Sequence, residues 1–352
     1  MNFAKHISAN HHCHFAGEGD RPVAPTSVWL ALLTVLFAVT MPLQARAEKI
    51  RTAIPRASLN YASVYVAEAK GFFRDEGLEN EIIVIGGPPS IAALVSGEVD
   101  YSGAGGSGMR AAIKGAPLKI IMFQTDRVTW YMIAHPSIGK VADLKGKRIG
   151  VGAIGDSEDR LSTQFIERGG LSAKDFTRIP MGSNAGARIL GIQAGAIHAA
   201  VADPGGAVVA EHQGLKTLGF LGDMFALPFQ GYGTTDKKLA ENPAQVKRWM
   251  RVIARGLMFL RERPEEAADI SIKRLQLGNI TRPMVIEGIK RYVRALPDGV
   301  PGLPSPEGIK SAIEYEVRYP LQMESGIAAE KMLALHLIVE VKKELESKRG
   351  GK

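Results

Sequence analysis

The chain's hydrophobic pattern is most regular between Glu81 and Gly108, EIIVIGGPPSIAALVSGEVDYSGAGGSG. A run of apolar residues predicts a buried strand at Ile82–Ile85, and Pro88-Pro89-Ser90 opens a helix, with proline in the first turn where a missing N–H costs nothing. A second strand, Val99–Ser102, leads into a glycine-rich turn and a helix over Met109–Lys114, followed by strand Leu118–Phe123. Upstream, Ile50–Ile54 reads as a strand ending at Pro55. After the polar turn Ser58-Leu59-Asn60, Tyr61–Lys70 reads as a helix stopped by Gly71. Each strand is a short continuous apolar run and alternates with a helix. That pattern predicts a parallel sheet covered on both faces.

The same unit returns. RILGIQAGAIHAAVADPGG repeats the apolar and glycine positions of SIAALVSGEVDYSGAGG 98 residues later, with Ile91, Leu94, Gly97 and Val99 matching Ile189, Ile192, Gly195 and Ile197. Around this copy lie strand Lys147–Gly152, a helix from Ser157 to Gly169, strand Ile179–Met181, helix Ala187–Ala194, strand Ala199–Ala202 and strand Leu215–Phe220. Thr129–Ala134 is read as a further strand with His135-Pro136-Ser137 as a linker, and Gln230–Thr235 as the return. Helices are expected at Pro243–Arg263, Pro264–Leu277, Arg282–Leu296 and Ala328–Lys348. Two copies of one α/β unit predict two doubly wound lobes with a cleft between them, residues 48–136 with 235–352 forming the first and 137–234 the second.

In such sheets ligands sit beyond the carboxyl ends of the strands, where helix N-termini offer unpaired N–H groups and partial positive charge. The turns expected to face the cleft are Ser58-Leu59-Asn60, Gly87-Pro88-Pro89-Ser90 and Gly105-Gly106-Ser107 in the first lobe. In the second they are Gly155-Asp156-Ser157 and Ala202-Asp203-Pro204. The aromatic pair Trp130 and Tyr131 near the crossover supplies either packing or a pocket wall.

Composition narrows the function. Forty-five per cent apolar and 23% charged residues describe an ordinary globular chain. The net charge of +8 is spread among acidic residues without a basic helix, which argues against a nucleic-acid surface. The leader 1–47 carries the apolar run Val28–Met41 followed by Ala45-Arg46-Ala47, an h-region and cleavage pattern of a secretory signal peptide with cleavage after Ala47. The one cysteine, Cys13, lies in that leader beside His11, His12 and His14, so the mature chain has no thiol and no cysteine-based metal site. Gly103-Ala104-Gly105-Gly106-Ser107-Gly108 fits G-x-G-x-x-G, but the helix after it is too short for a dinucleotide site, and close backbone packing explains the glycines better. No G-x-S-x-G elbow accompanies His135, His198, His212 or His336, so no catalytic set, cofactor or metal is expected.

Taken together, SLNYASVYVAEAKGFFRDEGLE, GGPPSIAALVSGEVDYSGAG, KGKRIGVG and the second copy with ADPGG resemble solute-binding proteins of ABC importers, in the nitrate, sulfonate, taurine and thiamine-pyrimidine-precursor branch. The resemblance implies a periplasmic-binding-protein-like α/β fold whose two lobes, joined by two crossover strands, close on a ligand. It implies a monomer that works in the periplasm with an ABC transporter permease. It places Ser58, Asn60, Tyr61, Ser90 and Ser107 toward ligand from one lobe and Ser157 and Asp203 from the other; Pro89 and Gly106, in the same cleft turns, and the aromatic pair Trp130 and Tyr131 are candidates beside them. The alternative is an enzyme of a pyrimidine-precursor or menaquinone type on the same scaffold, which fold alone does not exclude. Two departures bear on the ligand: the helix near 157 opens with Asp156-Ser157-Glu158-Asp159-Arg160, and His198 stands where the first copy has Asp100. Carboxylates at that helix start would repel a simple anion. The expectation is therefore a larger organic solute, its acid end on the first lobe and a donor or cationic end toward Asp156, Glu158 or Asp203.

Overall fold

The computed structural model describes residues 47–350 apart from 183, 229, 276–279 and 324–325. The leader, with its apolar run, cleavage pattern and Cys13, lies outside the described residues, as does Leu277, the expected helix end. Among the described residues no helix is long and apolar enough to cross a membrane.

Two five-stranded sheets organise the chain. The first contains β1 (Glu48–Ile54), β2 (Leu78–Val84), β3 (Tyr101–Ser102) and β4 (Leu118–Phe123). The second contains β5 (Tyr131–Ala134), β6 (Arg148–Val151), β7 (Thr177–Pro180), β8 (Ala199–Ala202) and β9 (Lys216–Phe220). The last strand, β10 (Gly231–Thr235), returns to the first. Their orders are β2-β1-β3-β10-β4 and β7-β6-β8-β5-β9, one topology used twice. The duplication extends to single hydrogen bonds. Val99 N–H reaches Ala93 O at 3.2 Å and Ile197 N–H reaches Gly191 O at 3.2 Å. Gly97 and Gly195 both end their helices in the left-handed region, at φ 82° and 69°.

Two expectations change. The sheets are mixed rather than wholly parallel, because β10 runs antiparallel to β3 and β4 and β5 runs antiparallel to β8 and β9. The expected boundary at 136 also separates β5 from its partners. Tyr131–Ala134 pairs across its whole length with Ala199–Ala202 and sits inside the second sheet, while Gly231–Thr235 sits inside the first. A strand buried on both sides must find ladder partners for its N–H and C=O groups. Periodicity identifies such a strand but not the sheet that receives it. Each lobe thus takes its antiparallel strand from the crossover leading out of the other.

Helix Pro243–Glu262 covers the first sheet. Its Trp249, fully buried, stacks on Tyr101 at 4.2 Å and donates its indole N–H to Thr52 Oγ1 at 3.1 Å. The helix approaches Ala62–Ala69 so closely that a Cβ at Gly256 would lie 2.3 Å from the Ser63 carbonyl oxygen. The glycine-rich turn is itself helical: the helix runs Gly105–Ile113, longer than expected. Its glycines are explained by close approach. A Cβ at Gly105 would meet the Gly231 backbone at 2.7 Å, and one at Gly108 would meet Ile120 Cδ1 at 2.8 Å. An element absent from the expected set, helix Pro306–Ile313 continued by a π-helical turn Glu314–Arg318, packs on Gly105–Ile113.

Candidate functional site at the lobe junction

The carboxyl ends of β1, β3, β6 and β8 deliver the cleft turns, and the structure brings them together in two groups. In the first, the 3-10 turn Leu59–Tyr61 touches helix Pro204–His212 of the second lobe. Helix Arg282–Val293 lies over both. Gly288 has no room for a side chain there, since a Cβ would come within 2.5 Å of Leu59 Cδ1 and 3.3 Å of Gly205 Cα. Ser58 precedes the turn and is 5% exposed, and its hydroxyl has no hydrogen-bond partner among the described residues. Asp203 caps the facing helix, its Oδ1 accepting the Gly206 N–H at 2.7 Å. Tyr61 is buried and donates its hydroxyl to Gly103 O at 3.1 Å, and burial pushes its phenol well above the ordinary range.

Asn60 is tied to both crossovers. Its carbonyl accepts from Gln124 Nε2 at 3.2 Å and from the Tyr292 hydroxyl at 3.4 Å, and its Oδ1 accepts from Thr129 Oγ1 at 3.4 Å. Gln230 closes the network, accepting from Tyr292 at 3.1 Å. Gln124 and Thr129 precede β5 on the outward crossover, and Gln230 precedes β10 on the return. All three are buried, where polar groups must be paired. The sequence signal for them is faint: polar residues flanking apolar strands.

The second group joins Gly106, Ser107 and Ser157 through a residue the sequence did not single out. Glu316, 1% exposed, accepts at Oε2 from Arg110 Nη1 at 2.6 Å and from Ser157 Oγ at 2.8 Å. A Cβ at Gly106 would lie 2.3 Å from that same oxygen, so only glycine leaves it room. Arg110 also donates to Ser107 Oγ at 3.3 Å, and Arg160 donates to Tyr315 O at 2.8 Å. Side chains of two helices, one per lobe, therefore share one carboxylate, Arg110 through a charge-assisted bond and Ser157 through its hydroxyl.

Other expected residues have internal tasks. Ser90 is fully buried and bonds Ser102 Oγ at 2.5 Å, holding its helix to β3, while Pro89 is exposed. Trp130, just before β5, and Tyr131, its first residue, belong to different core clusters, as successive side chains of extended backbone point to opposite sides. Tyr131 stacks on Phe220 at 4.7 Å and lines a recess of about 450 Å³ with Arg291 and Glu211, which form an ion pair at 2.7 Å. The acidic start of the second-lobe helix is consumed locally. Asp156 accepts from Asp159 N and Ala153 N at 2.7 and 2.8 Å, Asp159 pairs with Arg178 at 3.0 Å, and Glu158 pairs with the buried Arg188. These carboxylates are not free to meet a cationic ligand end as expected. Among the described residues no three His, Cys, Asp or Glu side chains gather as a metal ion would need. His135 and His198 sit at the opposite end of the second sheet, where His135 N–H bonds His198 O at 2.9 Å.

A riboflavin-binding protein of Chloroflexus aurantiacus, RibY, is 28% identical over 240 residues, 64% of this chain and 66% of that protein's length. A 4-amino-5-hydroxymethyl-2-methylpyrimidine phosphate synthase of Candida albicans is 29% identical over 232 residues, 58% of this chain and 64% of its own. This chain thus spans about two thirds of the curated relatives it matches. Among solved structures, the periplasmic nitrate-binding protein NrtA of Synechocystis superposes with a TM-score of 0.69 at 14% identity, covering 85% of this chain and 89% of that one. The fold is that of two-lobed periplasmic binding proteins. The NMT1/THI5-like family model matches residues 58–267, from the first cleft turn at Ser58 through every strand of both sheets but β1, both crossovers and the helix carrying Trp249. On that span, the chain belongs to the NMT1/THI5-like family.

Proposed function

We propose that the protein is an exported solute-binding protein, which takes a small acid-bearing organic solute between its lobes and delivers it to the membrane permease of an ABC importer. One observation carries this reading: Arg110 of one lobe and Ser157 of the other hold a single carboxylate between them, at 2.6 and 2.8 Å. A junction built to bind a carboxylate from both sides suits a solute with an acid group, whose binding would favour closure over opening. The relatives named as binding proteins support a transport role, and the synthase relatives keep an enzyme on this scaffold as the competing reading. Against the enzyme stand His135 and His198, which serve backbone contacts at the end of the second sheet opposite the cleft turns.

The test is a thermal-shift screen of the purified chain against organic acids, with riboflavin, its phosphate, nitrate and alkanesulfonates included, and with recovery of each hit. An organic acid should raise the melting temperature by mass action and come back unchanged. Chemical conversion of a hit would favour the enzyme. A screen in which only nitrate or sulfonates bind would remove the organic solute from the proposal.

A further inference from the structure

We propose that Glu316 is a built-in occupant of the acid subsite, an internal carboxylate that holds the lobes together without solute and is displaced when the solute's own acid group arrives. This rests on the solute-binding reading above and assigns to that site a self-occupied state. The argument begins with local structure. Ser305 caps helix Pro306–Ile313, its Oγ accepting the Gly308 N–H at 3.0 Å, and the helix then widens into the π-helical turn Glu314–Arg318. Such a turn adds a residue and re-aims the side chains beyond it, and single π turns recur at functional positions. Here Glu314 pairs with Arg318 on the outer side, Tyr315 packs edge-on to Phe225 of the return crossover, and Glu316 is turned inward to the two helix starts. The segment is gripped from both lobes: Arg110 donates to the Glu316 carbonyl as well as its carboxylate, and Arg160 donates to the neighbouring Tyr315 carbonyl.

The contact is strong in one oxygen and deficient in the other. Oε2 receives two hydrogen bonds, one of them charge-assisted, whereas Oε1 is buried with no partner. A buried acceptor without a donor carries its full desolvation cost, which offsets much of what Oε2 gains. The clasp is therefore poised to open. Once it opens, Glu316 is hydrated at both oxygens, and Arg110 and Ser157 are free to bind another carboxylate. The exchange replaces one carboxylate by another, so Arg110 never loses its counter-charge. Glycine at 106 is part of the device, because any side chain there would overlap Oε2.

The test uses acetate, so it does not depend on identifying the solute. In Glu316→Ala the clasp is absent and a carboxylate-sized space remains beside Arg110 and Ser157. Solution scattering without ligand should show a larger radius of gyration for Glu316→Ala than for the wild type. Acetate should raise the melting temperature of the variant and reverse its expansion, while leaving the wild type unmoved. Adding Ser157→Ala should weaken acetate binding about tenfold, the loss of one hydrogen bond to a charged group. Glu316→Gln, which keeps the volume and removes the charge, gives the same scattering comparison if the alanine variant folds poorly. Superimposable scattering for the wild type and both variants, or acetate acting equally on all, would overturn the proposal. A solute screen that finds no organic acid while acetate rescues Glu316→Ala would instead fail the solute reading and leave the clasp standing.

Discussion

His198 takes over in the second lobe one task of Asp100 in the first, accepting a hydrogen bond from the N–H of a neighbouring strand, though Asp100 also pairs with Lys238. Asp100 Oδ2 accepts the Arg51 N–H at 2.7 Å and His198 Nδ1 accepts the Arg148 N–H at 3.3 Å. The arginines correspond too, Arg51 reaching Gly97 O at 3.4 Å and Arg148 reaching Gly195 O at 2.5 Å. The substitution that separates the two copies is thus one strand-end acceptor for another.

It also makes the second lobe sensitive to pH. Nδ1 accepts only in the neutral ring, and desolvation first, then Arg148, Lys147 and His135, lower the His198 pKa. Between that value and about 6.5, the ordinary value, the unfolded chain binds a proton that the folded chain does not. Stability is fully present above about pH 6.5 and falls as pH drops through the window. The expected result is a urea midpoint that declines between pH 7 and 5 in the wild type and less so in His198→Asn, whose amide oxygen accepts without titrating. Parallel curves for the two proteins would exclude this origin. The ring is half-buried, with solvent still screening it, so the effect is modest.

The buried pair Arg188–Glu158 should be intolerant of single changes. Arg188 is 1% exposed and also donates to Val201 O at 2.8 Å, tying its helix to the end of β8. Arg188→Met strands a buried carboxylate, at a cost of about 3–5 kcal/mol. Glu158→Gln with Arg188→Met should recover part of that. Urea unfolding of the single and double variants decides it, and a double variant as unstable as Arg188→Met contradicts the pairing.

Gly256→Ala should destabilise although alanine is the better helix former. The new methyl would lie 2.3 Å from the Ser63 carbonyl oxygen, a backbone atom that moves only with its helix. Overpacking of this kind costs about 1–3 kcal/mol against less than about 1 kcal/mol gained in helix propensity. A variant at least as stable as the wild type in thermal melts would mean the two helices part without penalty.

Gln124→Leu tests the crossover network. Gln124 accepts from Ser63 Oγ at 2.6 Å and donates to Asn60 O at 3.2 Å. Leucine fits the volume but leaves the Ser63 hydroxyl without that acceptor and removes one donor from the Asn60 carbonyl, which keeps its bond from Tyr292. A loss of about 1–3 kcal/mol in urea unfolding is expected, because unmade buried hydrogen bonds cost more than made ones contribute. A change within experimental error would show that the crossover relaxes to re-pair these groups.

The short-range content of the sequence carried far. Apolar runs, proline starts and glycine stops located the strands of both sheets, and the matching of Gly97 with Gly195 and Val99 with Ile197 established the repeat, because those positions obey local backbone rules. Ser58, Ser157 and Asp203 were found as strand-end turns for the same reason. Partnership was not legible. Nothing within Tyr131–Ala134 says that its ladder lies with Ala199–Ala202 across the crossover, since an apolar strand satisfies its backbone in whichever sheet receives it. Likewise no local pattern marks Glu316, which is one of several acidic residues on an amphipathic helix until Arg110 and Ser157, distant in sequence, converge on it. Sequence by itself determined the repeated α/β unit and the turns that open onto the lobe junction. Tertiary structure decided which strands cross between lobes and which charges are spent on one another, because a buried charge is fixed by the partner it meets in space, and not by its neighbours in the chain.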